Sequence, residues 1–183
     1  MEQIKIGFLP TRRNVFSIAE AHRYKKLILE KIKSQGAELV DIDDITREGL
    51  LFDEKELPQI IEKMKAHNVD GLFFPHCNFG TEDLVAKVAR EIGKPVLIWG
   101  PRDDAPLADG LRTRDTQCGL FATGKVLRRF NVPFTYIENC RVDDKAFIDG
   151  YRKFVGVCSA VKAFGKLRIL QIGPRPAGFW SVI

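Results

Sequence analysis

The sequence predicts an α/β protein, a three-layer αβα sandwich around a mainly parallel sheet of five or six strands. Three observations carry this expectation. Short apolar runs alternate with longer segments whose apolar residues recur every three or four positions, the pattern of β-α-β units with a sheet buried on both faces. The chain has 183 residues, room for one domain and little else. Hydrophobic residues make up 45% of it and charged residues 29%, which supplies a core and excludes wholesale disorder.

The apolar runs at 4–10, 38–42, 71–75, 95–100, 134–137 and 168–172 give six predicted strands. Residues 15–34 place Ile18, Ala21, Leu27, Ile28 and Ile32 on one helical face and Glu20, Lys25, Glu30 and Lys33 elsewhere, with Gly36 as the stop. Residues 53–65 form the second predicted helix, capped by Asp53; Pro58 either weakens its first turn or sets a later start. The third, 81–92, opens on Thr81 as a hydroxyl cap, follows it with Glu82 and Asp83 at the positive end of the helix dipole, and ends at Gly93. Helices at 115–130 and 143–164 complete the alternation, each beginning at an aspartate able to cap it. Right-handed crossovers then build the sandwich. The flavodoxin-like strand order 2-1-3-4-5 is the commonest for five such strands, with the sixth added at an edge or leading onward.

The net charge is +5, but Lys and Arg alternate with Glu and Asp along the helices, which describes a solvated surface. No basic block with interleaved aromatics is present, so no nucleic-acid partner is expected. The four cysteines, Cys77, Cys118, Cys140 and Cys158, are spaced too irregularly for a zinc site and read as reduced thiols. The amino terminus runs straight into a strand without a signal-like or membrane-spanning apolar stretch, and a cytoplasmic location without membrane association is expected.

Ligands of open parallel sheets bind beyond the carboxyl ends of the strands, so the following loops matter most. The first, Thr11-Arg12-Arg13-Asn14, places two guanidinium groups at a helix start suited to an anion or polyol oxygen; a charged turn is the plain alternative. The next, His76-Cys77-Asn78-Phe79-Gly80, offers an amide for hydroxyls and a ring for a sugar's C–H face, although a turn into a helix also uses Asn and Gly. Residues 100–115 form the longest loop. Its alternating Arg and Asp residues suit an internally paired network, a binding surface or a subunit contact. Finally Gly173-Pro174-Arg175-Pro176 leads to Phe179 and Trp180, aromatics that call for a covering surface. His22 and His67 lie in helical contexts and read as surface residues. Glycine-rich dinucleotide and phosphate loops and the G-x-S-x-G elbow are absent, and His76 stands where a phosphoacceptor acid would be needed.

The segments GFLPTRR, HCNFGTED, WGPRDDAPLADGLRTRDTQCGL, PFTYIE and IGPRPAGFWSVI together resemble the amino-terminal portion of the L-fucose isomerase-like family, within the L-fucose/L-arabinose isomerase superfamily. The tract from 99 to 120 is the most specific part. The resemblance implies a ketol isomerase of the carbohydrate metabolism class, in which a divalent metal, typically manganese, holds adjacent sugar oxygens while acids move a proton between C1 and C2. It further implies that the metal ligands lie in the later part of the polypeptide and that this chain has no cofactor of its own. Assembly as a homo-oligomer is implied as well. Arg12, Arg13, Asn78 and Phe79 are the implied substrate contacts, similar in place to residues that reach a neighbour's sugar pocket.

Where some fucose isomerases carry Trp in the third turn, this chain has His76-Cys77-Asn78-Phe79, which leaves the sugar open among fucose, arabinose and other deoxy or pentose sugars. The expectation is therefore an amino-terminal domain over 1–173, with 174–183 beginning a connection to a missing carboxyl-terminal catalytic region. By itself it is expected to be inactive. A stand-alone sugar- or anion-binding regulatory module and a structural assembly domain are the alternatives.

Overall fold

A computed structural model describes residues 3–170, 172–174 and 176–178. The strands are β1 (Ile4–Phe8), β2 (Ala37–Val40), β3 (Gly71–Pro75), β4 (Val96–Trp99) and β5 (Thr135–Tyr136), and the helices are α1 (Ile18–Ile32), α2 (Leu57–Ala66), α3 (Glu82–Ile92), α4 (Thr116–Arg129) and α5 (Lys145–Gly165). They form one five-stranded sheet in the order β2-β1-β3-β4-β5. Every ladder is parallel, with Ile6 opposite Leu39, Phe8 opposite Phe73, Phe74 opposite Ile98, and Ile98 opposite Tyr136. The expected architecture and order hold.

Strand side chains alternate between faces, so near-continuous apolar runs feed two cores. On one side Ile6, Phe8, Phe73, Leu97 and Trp99 pack with Ile28 and Ile32 of α1 and Phe147 and Tyr151 of α5. On the other, Leu72, Phe74, Val96 and Ile98 meet Ile60 and Met64 of α2, Val85 and Val88 of α3, and Leu127 of α4. Each such side chain, fully buried, contributes about 2 kcal/mol.

Several expectations are corrected by tertiary contacts. The sixth strand does not form among the described residues of 168–172; Ile169, Leu170 and Ile172 are 81%, 85% and 91% exposed. An apolar run specifies a strand only where an edge and a covering layer receive it, and the described part of this one is docked on neither. The first helix starts at Ile18, because Ser17 is held outside it as the cap, its hydroxyl accepting from the Glu20 N–H at 3.2 Å while its own N–H donates to the Thr113 carbonyl at 3.0 Å. A 3-10 turn, Glu54–Glu56, capped by Asp53, precedes α2, and Pro58 lies in that helix's first turn, as a late start requires.

Three expected caps act elsewhere. The Thr81 hydroxyl donates instead to the Arg12 carbonyl at 2.6 Å. The N–H groups of Thr116 and Gln117, at the start of α4, donate to the Asp103 carboxylate at 3.1 and 3.3 Å, so Asp103 caps that helix and Asp115 does not. At α5 the cap position belongs to Asp144, whose carboxylate accepts from the Arg141 N–H at 2.7 Å, while Asp143 pairs with Lys31. Phe179 and Trp180 lie outside the described residues. Among the described residues no helix is long and apolar enough to cross a membrane, and the four cysteines are free thiols.

Candidate functional site

The carboxyl edge of the sheet brings the turns after β1 and β3 together. Thr11 is fully buried between them: its N–H donates to the Pro75 carbonyl at 2.9 Å, its carbonyl accepts from the Cys77 N–H at 2.9 Å, and its hydroxyl donates to the Leu51 carbonyl at 3.0 Å. The hydroxyl also accepts from the Thr81 N–H at 2.9 Å.

Asn78 completes the clamp. Its side-chain oxygen accepts from the Arg13 and Phe79 N–H groups at 2.8 and 2.7 Å, and its amide nitrogen donates to the Arg13 and Ser17 carbonyls at 3.1 and 3.2 Å. Two accepted and two donated bonds occupy the whole hydrogen-bonding capacity of a carboxamide. Asn78 is buried, and the clamp's product is the fixed position of its neighbours.

Those neighbours are Arg13 and Phe79. The Arg13 guanidinium lies 4.8 Å from the Phe79 ring centre, and Phe79 stacks on Phe16 with centres 5.3 Å apart and planes 8° from parallel. Both are half-buried, as is Glu82, whose carboxylate stands 3.5 Å from Arg13. A partly exposed pair at that distance adds little stability and leaves the guanidinium available. Beneath Phe79, Gly119 of α4 comes so close that a Cβ there would sit 1.8 Å from the Phe79 carbonyl oxygen, so only glycine fits.

Arg12 takes a different place. Its Nε donates to Glu48 at 2.6 Å, another guanidinium nitrogen donates to Asn14 at 2.5 Å, and the group lies 3.9 Å from the Phe52 ring centre. It is buried, at one wall of a cleft of about 220 Å³ that also includes Arg47, Asp53 and Glu56. The structure thus gathers Arg13, Asn78 and Phe79 into one ledge and sets Arg12 beside it.

His76 and Cys77 are fully buried behind the ledge. The Phe74 carbonyl can only accept, so His76 Nδ1 carries the proton to it at 3.1 Å and Nε2 accepts from the Thr123 hydroxyl at 2.8 Å. Burial pushes the ring's pKa down to about 4 and the Cys77 thiol up to about 12, so neither is a proton shuttle or nucleophile near neutrality. His22 is exposed on α1, and His67 is exposed at the carboxyl-terminal cap of α2.

The long loop after β4 is an internally paired network. Arg114, almost wholly buried, donates to Asp104 at 3.0 Å and to the Arg102 carbonyl at 2.9 Å, lies 3.7 Å from both Asp103 and Glu20, and covers the Tyr24 ring at 3.8 Å. The expected pairing of Arg and Asp is present here and ties the loop to α1. Among the described residues no three His, Cys, Asp or Glu side chains converge to hold a metal, so these residues do not fit the divalent ion that the resemblance implies.

Residues that support the ledge but are not singled out by sequence include Phe16, Ser17 and Gly119, and Thr11 is named only as part of its loop. Phe16 falls inside the helix expected over 15–34 and carries no reading of its own; the structure places it before α1, stacked on Phe79.

Residues 7–165 match the family described as fucose/sulfoquinovose isomerase, N-terminal domain. Two curated relatives, the sulfoquinovose isomerases of Priestia aryabhattai and Priestia megaterium, are each 23% identical over 180 residues, 98% of this chain and 39% of their own length. The chain therefore spans about two fifths of the curated relatives it matches. Among solved structures, an ABC sugar transporter subunit from Rhodobacter sphaeroides aligns over 87% of this chain and 64% of its own at 12% identity, with a TM-score of 0.37, a likeness too loose to carry an argument.

Proposed function

Because the chain belongs to the family of fucose/sulfoquinovose isomerase amino-terminal domains, we propose that it forms one wall of the sugar pocket in an aldose–ketose isomerase. The Arg13–Phe79–Phe16 ledge is the contact surface. A cation and an aromatic plane 4.8 Å apart, held by the Asn78 clamp, carry the reading. The plane takes the C–H face of the sugar, and the guanidinium takes its hydroxyls or an anionic substituent. Asn78 positions both and touches no ligand.

The proton-moving groups and the divalent metal, manganese in this reading, come from polypeptide other than this chain, either the remainder of a longer protein or another copy in a homo-oligomer. The four free thiols favour action in the cytoplasm. The family match favours this reading over a stand-alone sensor.

The test has two arms. The chain alone, given manganese and either L-fucose or sulfoquinovose, is expected to form no ketose; turnover would show that catalytic groups reside here. In an active enzyme containing this domain, Arg13→Met or Phe79→Ala is expected to raise KM about tenfold, the loss of roughly 1–2 kcal/mol of binding. An unchanged KM in both variants refutes the ledge as the contact.

A further inference from the structure

The edge of the sheet opposite β2 carries a feature that the proposed sugar pocket does not use. Among the described residues nothing pairs with the outer side of β5, and both of its residues are exposed. An open edge offers unpaired backbone N–H and C=O groups to another extended chain. Apolar clefts flank it on two sides. One, of about 710 Å³, is lined by Leu120, Phe121, Phe134, Tyr136 and Ile137. The other, of about 520 Å³, is lined by Val132, Phe134, Phe154, Val157 and Val161. Phe121 and Tyr136 are 69% and 72% exposed, unusual for aromatics of this size without a partner.

Successive side chains of a strand point to opposite faces, so a chain added to β5 would direct alternate residues toward the two clefts. The length also suits a strand. The α4 residues lining the larger cleft run from Gln117 to Arg129, which is ~18 Å of helix and matches about five extended residues. Gln117 Oε1 and Asn139 Nδ2, from two residues lining the same cleft, are buried without a hydrogen-bond partner among the described residues. A peptide unit supplies both a donor and an acceptor.

Charge selects the occupant. Lys125, Arg128 and Arg129 line the larger cleft and Arg90 and Lys94 the smaller, against a single acid, Glu138. The larger cleft's three cations form no ion pair among the described residues. Because α4 runs antiparallel to the strands, Arg128 and Arg129 mark the end where β5 begins. A second copy of this chain would bring three cations for each acid, Glu138, and leave most of them unmatched. The chain's own apolar segment 167–170 carries Arg168 and directly follows Lys166, the wrong sign again.

We infer that β5 accepts an extended, acid-tipped apolar segment of a partner polypeptide as a sixth strand. Every ladder in the sheet is parallel, and parallel addition sets the partner's acids at its amino end, beside Arg128 and Arg129.

The probe is the capped peptide Glu-Glu-Val-Thr-Val-Thr-Val, compared with its Lys-Lys counterpart by fluorescence anisotropy and by amide hydrogen exchange on the whole chain. The acidic peptide is expected to bind at least tenfold more tightly and to slow exchange at Tyr136, the β5 residue whose N–H faces away from β4. The triple variant Lys125→Glu, Arg128→Glu, Arg129→Glu, all surface positions whose folding is checked by circular dichroism, is expected to reverse the preference. Equal binding of both peptides, no binding, or protection away from β5 overturns the inference. Protection of the Tyr136 amide without peptide also overturns it, assigning the edge to the chain's own segment if the protein sediments as a monomer and to a second copy if as a dimer.

Discussion

His76 makes the fold acid-sensitive in a way that can be calculated. Its ring is fully buried, with Nδ1–H donated to the Phe74 carbonyl and Nε2 occupied by the Thr123 hydroxyl. Protonation would place a charge where no carboxylate faces it, and burial therefore depresses the pKa from 6.5 to about 4. A depressed pKa means that the unfolded chain binds the proton first. Stability is fully present above pH 6.5, falls as pH drops, and stops falling below about pH 4. The 2.5-unit gap between 6.5 and 4 corresponds to about 3 kcal/mol, of which about 2 kcal/mol is gone by pH 5. Other groups titrate in the same range, so the measurement is a difference. Urea unfolding of the wild type and of His76→Gln is followed from pH 7 to pH 4, and the wild type is expected to lose about 3 kcal/mol more than the variant. Parallel stability curves for the two proteins would refute the account of a neutral, buried ring.

Other substitutions test the frame around the ledge. Asn78→Ala removes four hydrogen bonds and leaves backbone groups of the Arg13 turn unpaired, so a loss of about 3 kcal/mol in urea unfolding is expected; a change under about 0.5 kcal/mol would mean that the turns hold without the clamp. Gly119→Ala drives a methyl group onto the Phe79 carbonyl, costing about 3 kcal/mol and shifting the Phe79 ring signals in an NMR spectrum. Unchanged shifts would show that α4 does not support the ledge. Cys118 is exposed while Cys77, Cys140 and Cys158 are buried, so a thiol reagent is expected to modify Cys118 alone in the folded chain and the other three only in denaturant. Rapid labelling of Cys77 would contradict its burial.

The sheet was legible because its signals are local and repeated. Strands such as 71–75 are apolar at every position because both faces are covered, and helices such as α1 carry apolar residues at helical spacing. What escaped were features decided at a distance. Nothing near Thr116 indicates that its helix is capped from Asp103 across the long loop, since Asp115 stands at the usual place. The apolar run at 168–172 has the composition of a strand, but composition does not supply a neighbouring edge, and the described part of that run lies open to solvent.

The ledge was half legible for the same reason. An arginine and an asparagine-phenylalanine pair after consecutive sheet-centre strands can be picked out as chemistry, but which of them faces a ligand depends on who takes up the hydrogen bonds. Asn78 reads as the natural partner for a hydroxyl until its four bonds are counted, after which no capacity remains. Arg12 and Arg13 are adjacent in sequence and chemically identical, yet one is turned against Glu48 and Phe52 and the other lies over Phe79. The difference arises from the Thr11 and Asn78 bonds that fix the backbone on either side of them. Substitution at Asn78 should therefore disturb sugar binding only by moving Arg13 and Phe79, and a sugar-dependent shift at those two residues, absent from Asn78 itself, would separate positioning from contact.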